Sequence, residues 1–158
     1  MGDQRAYVRG KNDFYAYTYT SLSARITING VTGRLVEKKI PFKTKHRDLP
    51  AYAGQSDVYF AKGADGLASQ AKLYSNDRKM RLDFDWDHVH INKHDGRRFP
   101  IGTVHVQEYR VCRVKDPSTG KLYDRFTRVS KNARSMSLAE IEKYGPLIHY
   151  FNPHVKFK

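Results

Sequence analysis

The strongest constraint on this chain is a two-residue alternation of apolar and polar side chains, cut at short intervals by turn-forming residues. Only an extended strand sends successive side chains to opposite faces, so this pattern demands sheet. Leu22, Ala24, Ile26 and Ile28 alternate with Ser23, Arg25 and Thr27. Asn29-Gly30 follows, and both residues tolerate positive φ, which predicts a tight hairpin turn. Leu35 to Phe42 continues the sheet, with Pro41 marking an edge or an end. Residues 43–55 read as a loop. Further strands are expected over Ser56–Ala61, Gln70–Tyr74, Lys79–Trp86, Gly102–Val114 and Lys121–Val129. Ala64-Asp65-Gly66, Asp95-Gly96 and residues 116–120 supply turns. One helix is predicted. Ser137 and Glu140 form a capping box, and Gly145-Pro146 is expected to end the helix at about Tyr144. The tail from Leu147 then docks as a strand or extended segment. The expected fold is a β-rich α+β domain: a curved antiparallel sheet with one short C-terminal helix.

Length and charge bound the rest. A chain of 158 residues reads as a single domain, 1–158, able to bury a core without covalent staples; the polar residues 1–13 are expected to fray. The single cysteine, Cys112, excludes an intramolecular disulfide and a cysteine zinc cluster; its place on a valine-bearing face predicts a small buried hydrophobe. No apolar run approaches the roughly 18 residues of a membrane span. The opening Met1-Gly2-Asp3-Gln4-Arg5 lacks the apolar core of a secretory signal and is expected to be an artificial start, with the natural chain beginning upstream. Lysine and arginine outnumber aspartate and glutamate by 29 to 16, a net +13, and they are spread along the chain. Such a field concentrates polyanions, which makes nucleic acid the default partner ahead of a membrane surface or an acidic protein.

The chemistry concentrates in "RKMRLDFDWDHVHI", residues 78–91. On a strand, Met80, Leu82, Phe84 and Trp86 share one face, and Arg81, Asp83 and Asp85 the other. Continued in register, His88 and His90 would enter the core. A break or bulge near Asp87 repairs this by turning both histidines onto the face of Asp83 and Asp85 and returning Val89 and Ile91 to the core. In "GTVHVQEYRVC", residues 102–112, Val104 and Val106 suit the core, which leaves Thr103, His105, Gln107 and Tyr109 on the polar face. If the two strands pair, His88, His90 and His105 meet on one surface.

That set suits metal-free RNA cleavage. A base must take the ribose 2′-OH proton, an acid must protonate the leaving 5′-oxygen, and a cation must face the phosphoryl oxygens. Histidine serves as base or acid near neutral pH. His88 and His105 are the acid–base candidates, His90 a third member, and Asp85 or Asp87 an orienting carboxylate. Arg81, Arg97, Arg98 and Tyr109 are candidate substrate contacts. This reading needs no cofactor. The alternative is a divalent metal ion such as zinc on His88, His90 and His105. The aspartates 83, 85 and 87 form either an ion-binding comb or a solvated acidic strip beside Arg81. His46, His94, His149 and His154 read as ordinary surface or packing histidines, and Trp86 as core. A non-catalytic basic nucleic-acid-binding domain is the reading from a different class.

Residues 71–109, "AKLYSNDRKMRLDFDWDHVHINKHDGRRFPIGTVHVQEY", resemble the C-terminal toxin domains of bacterial polymorphic-toxin and contact-dependent inhibition systems. The run Trp86, Asp87, His88, His90 is more loosely similar to the sheet-borne catalytic run of ribosome-cleaving colicin nucleases, though the glutamate expected soon after the histidine is replaced by Ile91-Asn92-Lys93. The resemblance implies a small toxin nuclease, an RNase acting on tRNA or rRNA. It further implies release from a larger secreted protein, action in the cytoplasm of a recipient cell, and neutralisation by an immunity protein, for which the +13 charge predicts an acidic partner.

Overall fold

A computed structural model describes residues 19–38, 49 and 58–158. The expectations for residues 1–13, Pro41, most of the 43–55 loop and His46 lie outside this range.

The alternation does form sheet. Ten strands are described: β1 (Tyr19–Ser21), β2 (Ile26–Ile28), β3 (Val31–Lys38), β4 (Val58–Lys62), β5 (Ala68–Tyr74), β6 (Met80–Asp85), β7 (His90–Ile91), β8 (Arg98–Phe99), β9 (His105–Lys115) and β10 (Leu122–Arg128). Eight build one sheet in the order β1-β3-β4-β5-β6-β9-β10, with β2 beside β1 along the edge of β3; β7 and β8 pair as a separate hairpin. Every pairing is antiparallel except β3 with β4, which is parallel. The molecule is thus a β-rich, mostly antiparallel α+β fold. Among the described residues, no helix is long and apolar enough to cross a membrane.

The predicted turn at Asn29-Gly30 forms with both residues at positive φ, 54° and 73°. The strand expected over residues 22–28 is split. Leu35 N–H donates to Ser23 Oγ, so a side chain replaces the ladder partner there, and Leu22 stays exposed.

The helix α1 (Leu138–Phe151) corrects the sequence reading at its end. Its start is the predicted capping box: Glu140 N–H donates to Ser137 Oγ (3.1 Å), and Ser137 N–H to Glu140 Oε1 (2.8 Å). Gly145 and Pro146 do not stop it; the helix runs on to an Asn152 C-cap. Proline lacks the N–H that would donate to the Glu142 carbonyl. Asn29 Nδ2 donates to that carbonyl instead, at 3.2 Å. Gly145 is small because the Phe157 ring packs against it, 3.1 Å from where a Cβ would stand. Leu147, Ile148 and Phe151, expected in an extended tail, are therefore helical and buried in the main core.

That core lies between α1 and one face of the sheet, and includes Phe60, Ala71, Leu73, Phe84, Trp86, Val104 and Val106. Trp86 is buried as expected, with Nε1–H donating to the Ala68 carbonyl. The other face has its own apolar cluster of Val36, Leu49, Tyr59, Ala61, Tyr74, Met80 and Tyr109. Met80 thus faces away from Phe84 and Trp86, because the β5–β6 register shifts between Leu73 and Tyr74. Tyr109 is not on an accessible surface: it sits in this second cluster, and burial pushes its phenol upward, out of the physiological range. Cys112 is exposed rather than buried. The cause is topological. β6 pairs with β9 only from His105 to Glu108, so further along β9 has β10 alone beside it.

Candidate functional site: a histidine cluster at the end of the central strands

The two central strands carry polar rows across the second face. Gln70, Asp85 and His105 are register partners across β5, β6 and β9, and Lys72, Asp83 and Gln107 form the next row. Within the acidic strip, Asp83 and Asp85 are buried and Asp87 is exposed. Lys72 Nζ lies 3.3 Å from Asp83 Oδ1 and also donates to the Leu49 carbonyl. Two buried opposite charges in one row hold each other there, since either alone would bear its full desolvation cost. Asp85 has no such cation. Burial, then repulsion from Asp83 and Asp87, pushes its carboxyl up to about 8.

At the end of this row the two strands part. β6 ends at Asp85, and Gly102 N–H closes onto the Trp86 carbonyl at 2.7 Å. Residues 87–101 therefore make an excursion that begins with a bend at Asp87-His88, where the sequence requires a break. The bend carries His88, and β7 carries His90, onto the ring of His105. His90 and His105 stack with centroids 4.6 Å apart and planes 14° apart; His88 meets His105 edge-on at 4.9 Å. Val89 and Ile91 do not rejoin the core; they are 43% and 58% exposed, because the β7–β8 hairpin stands off the sheet and buries only its His90–Phe99 side.

Each imidazole is held differently. His88 lies at the surface with Nδ1 2.6 Å from Asp87 Oδ1. A carboxylate only accepts, so Nδ1 carries the proton and Nε2 is left for other chemistry. The Asp87 hydrogen bond is the main cause that raises the His88 pKa, against partial burial and with help from the Asp87 charge. His90 Nε2 lies 2.9 Å from Asn92 Oδ1. The Asn92 amide is oriented by the Ala133 backbone: Ala133 N–H donates to Oδ1 and Nδ2 donates to the Ala133 carbonyl. Oδ1 is therefore an acceptor, His90 Nε2 donates, and His90 Nδ1 keeps its lone pair. His105 is 1% exposed. Burial, then repulsion by His90 and His88, lowers it to about 3. Its Nδ1 has no hydrogen-bond partner among the described residues, and Nε2 is 4.0 Å from Asp85 Oδ2, beyond hydrogen-bonding range.

No family model matches this chain, and no curated protein or solved structure shows significant similarity to it.

The structure brings together His88, His90, His105, Asp85 and Asp87 from the sequence reading. Arg97 joins them indirectly: its guanidinium lies 4.8 Å above the Phe99 ring, which packs against both His90 and His105, and it donates to Ser135 Oγ. Arg98 is exposed beside it, opposite Ile91. Arg81 is not part of the group. At the far end of β6 its guanidinium is taken by Asp77 at 3.0 Å. Two residues escape the sequence reading. Phe99 walls the site, and Asn92 fixes His90. Asn92 carries a signal that period-two reading ignores: a polar residue whose amide matches one backbone N–H and one C=O across 41 positions of chain. Of the remaining histidines, His149 is held by the Val155 carbonyl and the Phe157 ring, a packing role as expected. His94 and His154 lie at the surface.

Proposed function

We propose that this domain is a toxin nuclease, a ribonuclease that cleaves tRNA or rRNA by histidine acid–base transphosphorylation without needing a metal ion. One observation carries the reading. An exposed imidazole, His88, and a half-buried one, His90, stand over the buried ring of His105, and each of the two has one nitrogen pinned and the other without a hydrogen bond among the described residues. A pair of nitrogens within 4.8 Å of each other can both reach oxygens of a single phosphodiester, given hydrogen-bond reach of roughly 3 Å each.

The roles follow from the hydrogen bonds. His90 Nδ1 accepts the proton of the ribose 2′-OH. The 2′-oxygen attacks phosphorus, the bond from phosphorus to the 5′-oxygen breaks, and His88 supplies the proton that the leaving oxygen requires. The products are a 2′,3′-cyclic phosphate and a 5′-hydroxyl. Asp87 holds His88 in its charged form, and Arg97 faces the phosphoryl oxygens, with Arg98 alongside. His105 is a positioning residue: three imidazoles this close cannot all be charged, and the buried one stays neutral beneath the two that work. The sequence reading placed His105 in the acid–base pair; its 1% exposure favours His90. The +13 charge supplies the general attraction to RNA. In this reading the domain is released from a larger secreted protein, acts in the cytoplasm of a recipient cell, and is held inactive at home by an acidic immunity protein.

The test is cleavage of total RNA in a chelating buffer. His88→Ala and His90→Ala are each expected to slow cleavage by roughly 10²–10⁴-fold, the usual worth of a general acid or base. Asp87→Asn is expected to shift the alkaline limb of the pH–rate profile towards lower pH, because it removes the main cause of the raised His88 pKa. RNA retained but not cut by the wild type would leave a binding module. Full activity in both alanine variants would remove the histidines from the chemistry.

A further inference from the structure

The same three imidazoles form more than an acid–base site. We infer that His88, His90 and His105 bind a zinc-class divalent transition-metal ion, and that this ion competes with RNA and switches cleavage off. The inhibitory half rests on the catalytic reading above; the binding half does not.

Three observations carry the site. First, one ligand nitrogen from each histidine lies within 4.8 Å of the others. Three nitrogens around tetrahedral zinc stand about 3.3 Å apart, from Zn–N bonds of about 2.0–2.1 Å. Closing the gap asks for a shift of up to about 1.5 Å, and His88, on an exposed bend, has the freedom to supply it. Second, the set contains a buried imidazole whose Nδ1 has no hydrogen-bond partner among the described residues. An orphaned buried nitrogen calls for a ligand. Third, the other two histidines are already braced as metal ligands are. Asp87 holds Nδ1–H of His88 and Asn92 holds Nε2–H of His90, which orients each ring and leaves its second nitrogen basic.

The ligands are the nitrogens the reaction needs. A metal ion on His88 Nε2 and His90 Nδ1 leaves no donor for the leaving oxygen and no acceptor for the 2′-OH. Three protein ligands would also leave an open coordination position. With water in that position, the ion would occupy the place the scissile phosphate needs between His88 and His90, so RNA and the ion would exclude each other.

The experiment uses the whole 158-residue chain stripped of metal. Zinc is titrated calorimetrically, and cobalt(II) is followed by its visible absorption, which intensifies on tetrahedral nitrogen coordination. One ion per chain is expected, with affinity reduced at least roughly 100-fold in His88→Ala and in His90→Ala. His94→Ala, an exposed histidine in the β7–β8 turn, should bind as the wild type does. His88→Ala changes a surface side chain, so loss of binding there is not loss of fold; circular dichroism checks this. No stoichiometric binding at 100-fold excess of metal, or binding that survives both alanine variants, overturns the site. Cleavage assays run in parallel separate the two readings. Activity in chelator that falls as zinc fills the site supports both. Metal binding without cleavage under either condition supports the site and removes the nuclease. Cleavage that requires zinc keeps the site and overturns its inhibitory role.

Discussion

Asp85 shows how one residue's surroundings set its chemistry. It sits in a polar row between Gln70 and His105, one row from the Lys72–Asp83 pair, in which the Lys72 ammonium is already engaged. Its carboxyl is raised from 3.8 to about 8 by burial and then by its acidic neighbours. For an acid whose pKa is higher in the folded protein, stability is greatest below the unfolded value and declines as pH rises through the folded one. The native protein is therefore expected to lose stability from about pH 4 to about pH 8. Asp85→Asn should abolish that part of the slope. Urea denaturation at a series of pH values checks it: the wild-type and variant profiles should diverge upwards in pH, with the variant the more stable. Parallel profiles would contradict the assignment. At this scale the sequence was legible in type and only partly in role. The period-two pattern put Asp85, His88, His90 and His105 on one side of the sheet, and they are there. It did not reveal that the second face is itself covered, so it left Asp83, Asp85 and Tyr109 facing solvent when they are buried.

The elements show the same division between local and distant information. The hairpin turn at Asn29-Gly30 and the capping box at Ser137 depend on neighbours in sequence, and both were readable there. The continuation of α1 past Gly145-Pro146 was not. It depends on Asn29, 113 residues away, whose amide serves the carbonyl that Pro146 abandons. This coupling is measurable. Asn29→Gly keeps the positive φ while deleting the amide, and is expected to cost about 1 kcal/mol in the wild type, the usual net worth of such a bond. In a Pro146→Ala background residue 146 regains its own N–H, and the same change should cost markedly less. Equal costs in the two backgrounds would mean that the bond does not stabilise the helix. The bend at Asp87-His88 is intermediate. Its existence followed from the clash between apolar register and histidine placement. Its form, a 15-residue excursion closed by the Gly102–Trp86 hydrogen bond, needed the β9 pairing.

For the whole molecule, the central strands act as a rigid mount. α1 and one sheet face bury Phe84, Trp86, Val104 and Val106, the residues that flank Asp85 and His105 along β6 and beside β9. The packing that stabilises the fold thereby fixes the floor of the histidine cluster, while the β7–β8 excursion brings in the groups that meet solvent. The proposed chemistry requires the 2′-oxygen of the substrate to act as the nucleophile, and this distinguishes it from a metal-assisted hydrolase, which would use water and would leave other ends. The most direct measurement is cleavage, in chelating buffer, of a short RNA against the same oligonucleotide with 2′-deoxyribose at the scissile position, with the product ends analysed by mass. The account predicts a 2′,3′-cyclic phosphate from the RNA and no cut at the deoxy position. Cleavage of both oligonucleotides at equal rates, leaving linear phosphate ends, would contradict it.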